Sequence, residues 1–306
     1  MMKNAEKRVV SRSPARVFLL LTIIGVLVVL SNWRYKVFDG LTMYSLNVLS
    51  SVPAKTGITL IIPALAYDFN RFGNDFLRSM ESLTVVPDEM FVVVSNTSST
   101  LVNMTVYNDL KSQFIDFQNK HGIVGHFIEY PDPMKQAVKK NLASACATTE
   151  WLSVFDIDDI LHPQRFEMLS SLFKQQPHIE VVLTTFEGAT TKEIGEKLEK
   201  LSHYDSNEIA DLAYDPDSLR EQFEARLDWL KLPYTWCCVF INEFISNGWL
   251  TIKRDLWLKY QQRGDLDIGE DIEMITRLIT TGVNTTVLEM NLGIYRYKTK
   301  VEGKKL

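Results

Sequence analysis

The segment Val154-Phe155-Asp156-Ile157-Asp158-Asp159 ends an apolar run in three carboxylates. Carboxylates crowded at a strand end repel one another unless a cation sits between them. Mg²⁺ and Mn²⁺ prefer such hard oxygen ligands and share them with substrate phosphates. The run therefore points to a metal–diphosphate site. The plainer alternative is a polar turn in which Asp159, ahead of Pro163, caps the next helix. Capping needs only one such residue.

A second acidic feature is Gly269-Glu270-Asp271, which opens a helix with Ile272, Ile275, Leu278 and Ile279 along one face. Taken alone, acids at a helix N-terminus are explained by the dipole. Together with the strand-end triplet they supply what transfer to a hydroxyl requires. One part is a cation for a departing diphosphate, and the other is a base for the incoming hydroxyl.

These residues need a scaffold. Short runs rich in branched side chains recur at Ile58 to Ile62, Met90 to Val94, His126 to Glu129, Trp151 to Phe155 and Val181 to Phe186. Each is too short for a buried helix and reads as a buried parallel strand. Phe72, Phe76, Leu77, Met80 and Leu83 form a helical stripe between the first two. The alternation predicts an α/β sheet with ligands at the carboxyl ends of its strands. From Glu187 to Leu232 the chain turns polar and acidic and reads as an insertion or an acceptor-side segment, with apolar spacings that suit surface helices. Order returns at Asn247 to Trp257, and Val287 to Met290 and Ile294 to Tyr297 read as two late strands.

The 306 residues carry 33 basic and 38 acidic side chains, a net charge of −5 that gives no footprint for nucleic acid. Cys146, Cys237 and Cys238 lack zinc-ligand spacing. Val17 to Leu30 is uncharged and follows Lys3, Lys7, Arg8, Arg12 and Arg16. That pattern predicts a cytoplasmic tail (1–16), a transmembrane signal-anchor (17–33) and a stem (34–56). No small-x-small cleavage site follows promptly. The expected topology is a single-pass type II membrane protein with a lumenal body, in the Golgi or endoplasmic reticulum. Asn96, Asn103 and Asn284 begin N-x-Ser/Thr sequons.

From about Ile58 to Lys298 the chain resembles the family 2 glycosyltransferases of GT-A fold. The resemblance rests on Ile58-Thr-Leu-Ile-Ile-Pro63, on Ala137 to Asp159 with Asn141 ahead of Ala147 and Trp151, on His162-Pro163 and Arg165-Phe166, and on Asn247-Gly248, Gly269-Glu270-Asp271, Arg277-Leu278, Gly282 and Tyr295-Arg296. It implies a GT-A-type Rossmann-like mixed sheet flanked by helices over 57–306, with a nucleotide-sugar half (57–160) and an acceptor half (161–306). It further implies Asp156 at the ribose or metal, Asp158 on the metal, Pro63, Asn96 and Asn141 at the nucleotide, and Asp271 as base. The implied reaction inverts the anomeric carbon, moving one sugar from a UDP- or GDP-sugar to a glycan, lipid or protein hydroxyl with Mn²⁺ or Mg²⁺.

Two positions depart from that family. Val94-Ser95-Asn96 stands where an aspartate commonly holds the base, and Asn96 can still hydrogen-bond a nucleobase; a glycan there would block the pocket, so Asn96 is expected to be unmodified. Tyr297 and Lys298 replace a frequent metal-assisting histidine. The processive Gln-x-x-Arg-Trp pattern is absent. Phe155-Asp-Ile-Asp-Asp-Ile-Leu161 also resembles the opening motif of haloacid dehalogenase-type phosphatases, with Asp156 as nucleophile and Asp158 as acid/base. That motif normally follows the first strand of its domain. A third reading is a membrane-tethered binding scaffold that keeps the fold without turnover.

Overall fold

The computed structural model of the chain describes residues 55–221, 249–266 and 269–297. The expected tail, anchor and nearly all of the stem lie outside the described residues, as do Asn247, Gly248, Cys237, Cys238 and Lys298. Among the described residues no helix is long and apolar enough to cross a membrane.

The strands are β1 (Ile58–Leu65), β2 (Glu89–Ser95), β3 (Val124–Glu129), β4 (Trp151–Val154), β5 (Ile160–Leu161), β6 (Val181–Thr190), β7 (Leu250–Lys253) and β8 (Thr285–Tyr297). The helices are α1 (Ala66–Glu81), α2 (Met104–His121), α3 (Gln136–Cys146), α4 (Arg165–Gln175), α5 (Ile194–Glu199), α6 (Arg254–Tyr260) and α7 (Glu270–Thr280). The sheet runs β3-β2-β1-β4-β7-β6-β8-β5. β3, β2, β1 and β4 are parallel, β7 is antiparallel to both its neighbours, and β5 is antiparallel to β8.

Strand periodicity sorts side chains onto two helical layers. Ile58, Leu60, Ile62, Ala64, Met90, Val92 and Val94 share a core with Phe69 and Phe76 of α1, Tyr107 and Phe114 of α2, and Phe166 and Leu169 of α4. Ile61, Phe91, Val93, Leu152 and Val154 face the other way, against Ala143 of α3, Trp257 of α6 and Ile272, Ile275, Leu278 and Ile279 of α7. The expected stripe of α1 is buried at Phe72, Phe76, Leu77 and Met80, while Leu83 lies past the helix end and packs at the edge of the core.

The two late strands expected at Val287 and Ile294 are one continuous strand, β8. Its pairing with β6 absorbs register shifts between Thr184 and Glu187, which bend the pair and disguise it as two elements. Gly293 permits this path, because a Cβ there would lie 2.6 Å from the Trp249 ring and 2.9 Å from the Ile160 carbonyl oxygen. The polar segment from Glu187, expected as an insertion or an acceptor-side segment, begins as the last part of β6, and Ala213 later bridges to Leu288 of β8.

Candidate active site

The site begins with a missing hydrogen bond. β1 and β4 pair in register up to Ile61 opposite Val154, and the Phe155 N–H reaches the Ile61 carbonyl oxygen at 3.0 Å. The next bond of that ladder would come from the N–H of residue 63, which is proline. The ladder stops there and the chain leaves the sheet as Asp156 begins. Alternation from Val154 carries Asp156 toward the layer formed by α3 and α7.

Both helices of that layer contribute charge at this point. Asp156 lies within electrostatic range of Asp158, Glu270, Asp271 and Lys140. Burial pushes its carboxyl up to about 6; Lys140 opposes this, while Asp158, Asp271 and Glu270 reinforce it. Its Oδ1 is buried without a hydrogen-bond partner. Asp271, 5% exposed, sits in the first turn of α7 and accepts a hydrogen bond from the Ile272 N–H at 2.8 Å. Burial raises its carboxyl above the ordinary carboxylate value, with Lys140 opposing and Glu270 adding. Gly269 starts this helix in the left-handed region at φ 79°, a conformation glycine adopts without strain.

Two adjacent lysines of α3 serve the same corner. Lys139 is fully buried and donates to the Ala64 carbonyl oxygen at the end of β1, at 2.8 Å. Burial pulls its ammonium down to about 8, against the pull of Asp156. The side chain of Lys140, 3% exposed, pairs with Glu270 across 3.4 Å. Burial lowers its ammonium, but Asp156, Asp271 and Glu270 more than offset that and raise it.

The third carboxylate of the triplet does something else. Asp159 is 1% exposed and accepts from the Trp249 indole N–H and from the Arg296 backbone N–H, each at 3.0 Å. Arg296 also donates through Nε to the Asp158 carbonyl oxygen at 2.6 Å and through its guanidinium to Asp75 of α1 at 2.9 Å. The turn bearing Asp156 and Asp158 is thus clamped from β8 and from α1.

Of the residues singled out in the sequence, Pro63 lies in the second half of β1, opposite Val93 of the neighbouring β2, and Asn96 directly follows the end of β2. Asn96 is half-buried with φ 64°, a left-handed conformation that asparagine tolerates better than most residues. Asn141, expected at the nucleotide, has its amide committed to tertiary bonds. It donates to the Gln262 carbonyl oxygen at 2.8 Å and accepts from the Trp257 indole at 3.0 Å and the Gln262 N–H at 3.1 Å. Lys139, Lys140 and Asp75 carried no expectation from the sequence. The signal for the lysines was available: a charged pair inside Ala137, Val138, Leu142, Ala143 and Ala145, a stretch otherwise suited to packing on a sheet.

Among the described residues no three His, Cys, Asp or Glu side chains form a ready-made metal cage. The donor set nonetheless fits a hard cation that takes its remaining ligands from phosphate. Two aspartates flank one residue, and one of them presents a buried oxygen with no partner.

No protein-family model matches the chain, and no curated protein matches it. Among solved structures, residues 1–349 of TarS from S. aureus align over 78% of this chain and 60% of that one, with 13% identity and a TM-score of 0.51. The same protein in complex with UDP aligns over 79% and 60%, with 12% identity and a TM-score of 0.51. In complex with UDP-GlcNAc it aligns over 81% and 61%, with 12% identity and a TM-score of 0.51. The chain therefore spans about three-fifths of the length of these structures. The likeness carries the fold, which is a GT-A-type mixed sheet flanked by helices.

Proposed function

We propose that this chain is a metal-dependent, inverting glycosyltransferase that moves one sugar from a nucleotide-sugar donor to an acceptor hydroxyl. One observation carries the reading. Asp156, at the end of a strand, and Asp271, at the start of a helix 115 positions later in the sequence, share one electrostatic corner. The TarS structures that resemble this chain include complexes with UDP and UDP-GlcNAc, which supports a uridine nucleotide sugar as the first donor class to test.

In this reading Asp156 and Asp158 would hold a divalent cation together with the donor's phosphates. A bound divalent ion supplies charge neutralisation for the leaving group. Asp271 accepts the proton of the acceptor hydroxyl through Oδ2, its Oδ1 being held by the Ile272 N–H. The acceptor oxygen forms its bond to the anomeric carbon as the bond from that carbon to the phosphate oxygen breaks. The electron pair leaves with the nucleoside diphosphate. A carboxyl raised by burial suits the base, because its conjugate acid then lies nearer the working pH. Arg296 and Asp159 keep the ligand turn in place, and Asn141 fixes α3 against the segment that follows α6.

The phosphatase reading fits less well, since its motif belongs after a first strand and Asp156 here follows the fourth. We extend the proposal to the anchor and lumenal body expected from residues 17–33. A screen of nucleotide sugars with Mn²⁺ for nucleoside diphosphate release, repeated with Asp158→Ala and Asp271→Asn, tests the function. Release by the parent chain and its loss in both variants is the expected result, and release undiminished in both would refute it.

A further inference from the structure

Asp158, Glu270 and Asp271 all act electrostatically on Asp156, and the Lys140 ammonium is paired with Glu270. Lys140 reaches Glu270 from α3, 130 positions away in sequence, with side-chain exposures of 3% and 12%. The first turn of α7 has no side-chain cap, because its N-cap is Gly269. The pair therefore gives that turn, and Asp271 within it, an anchor on another element. Lys139, the next residue back, points elsewhere, to the Ala64 carbonyl oxygen. The helical step between adjacent residues separates the two ammonium groups onto different partners.

Resting on the glycosyl-transfer reading, we infer that Lys140 is a positioning residue, a built-in cation that holds Glu270 and Asp271 against Asp156 before metal or donor arrives. This role has a consequence that ordinary structural support lacks. The ammonium repels an incoming divalent ion while it aligns the base. Removing it should strengthen metal binding and weaken turnover, two effects of opposite sign. A residue that merely stabilised the fold would weaken both.

The test uses the full chain and two probes, Mn²⁺ and UDP. Free Mn²⁺ is counted by electron paramagnetic resonance as protein is titrated, with and without UDP, and sugar transfer is measured in parallel. For Lys140→Met we expect Mn²⁺ to bind roughly three- to tenfold more tightly, from loss of one nearby like charge. Transfer should fall about tenfold or more as Asp271 loses its alignment. Lys140→Arg keeps the charge and should return the metal affinity to within about twofold of the parent. Metal binding that is unchanged or weaker in a folded Lys140→Met variant overturns the inference. If that variant does not fold, Glu270→Gln breaks the same pair from its more exposed side. Transfer by Glu270→Gln within about twofold of the parent would then overturn it. A parent chain that neither binds Mn²⁺ with UDP nor releases nucleotide from any donor refutes the transferase reading itself, an outcome distinct from failure of the lysine variants alone.

Discussion

Arg296 of β8 donates its Nε–H to the Asp158 carbonyl oxygen at 2.6 Å, bonding the last described strand to the backbone of a candidate metal ligand. Its guanidinium carbon also lies 4.7 Å from the centre of the Phe72 ring, and its far end reaches Asp75. The turn that holds Asp156 and Asp158 is therefore a tertiary structure, built from both ends of the domain.

Arg296→Lys should uncouple that turn. A lysine presents a point charge and cannot serve the Asp158 carbonyl and Asp75 together in the planar fork of arginine. We expect a loss of about 1–3 kcal/mol in a urea melt, together with weaker Mn²⁺ binding in the presence of UDP. Unchanged metal affinity would mean the clamp does not set ligand geometry.

Asp159→Asn removes an acceptor and turns an amide N–H₂ toward a donor, either the Trp249 indole or the Arg296 N–H. The expected cost is about 1–3 kcal/mol for the buried donor left unpaired. Thermal melts read this directly, and metal addition should not restore it, because Asp159 serves the turn rather than the ion.

Asp156→Asn should exchange function for stability. The folded carboxyl is raised to about 6 from an ordinary 3.8, by burial first and then by Asp158, Asp271 and Glu270 against the opposing Lys140. The folded state holds that proton more tightly than the unfolded chain. The stability Asp156 contributes is therefore fully present below about pH 4 and lost as the pH rises through about 6. Without metal, the asparagine variant should melt above the parent at pH 7.5, by roughly 2–4 °C for each kcal/mol recovered. At pH 4 the two melting curves should converge. A variant that is less stable at pH 7.5 would show that Asp156 is satisfied in the metal-free protein.

Asn141→Leu tests whether that amide belongs to the nucleotide or to the scaffold. Losing its three hydrogen bonds leaves the Trp257 indole and the Gln262 backbone without their partner. A stability loss of about 2–4 kcal/mol is expected. A variant that melts like the parent yet fails to bind UDP would return Asn141 to the nucleotide.

Much of this was legible in the sequence, for a physical reason. β1, β2 and β4 are buried on both faces, so their composition alone betrays them, and the stripe of α7 repeats with helical period. The strand-end aspartates and Asp271 stood out because charge is costly near buried segments. What could not be read was partnership. Asp159 looks like its two neighbours in the triplet, and only the positions of Trp249 and Arg296 separate its task from theirs. Lys140 is invisible as a site residue until α3 and α7 are seen to pack on the same face. β8 appeared as two strands because its irregular pairing with β6 breaks the alternation on which strand reading depends.

The most direct test of the account is to compare catalysis and binding in Asp271→Asn. Sugar transfer and the affinity for Mn²⁺ with UDP are measured on the same preparation, beside the parent chain. If Asp271 is the base and stands outside the metal ligand set, transfer falls by about a hundredfold or more while binding of Mn²⁺ with UDP stays within a few-fold. Transfer that survives in the variant, or binding that collapses together with it, would contradict the assignment on which the mechanism depends.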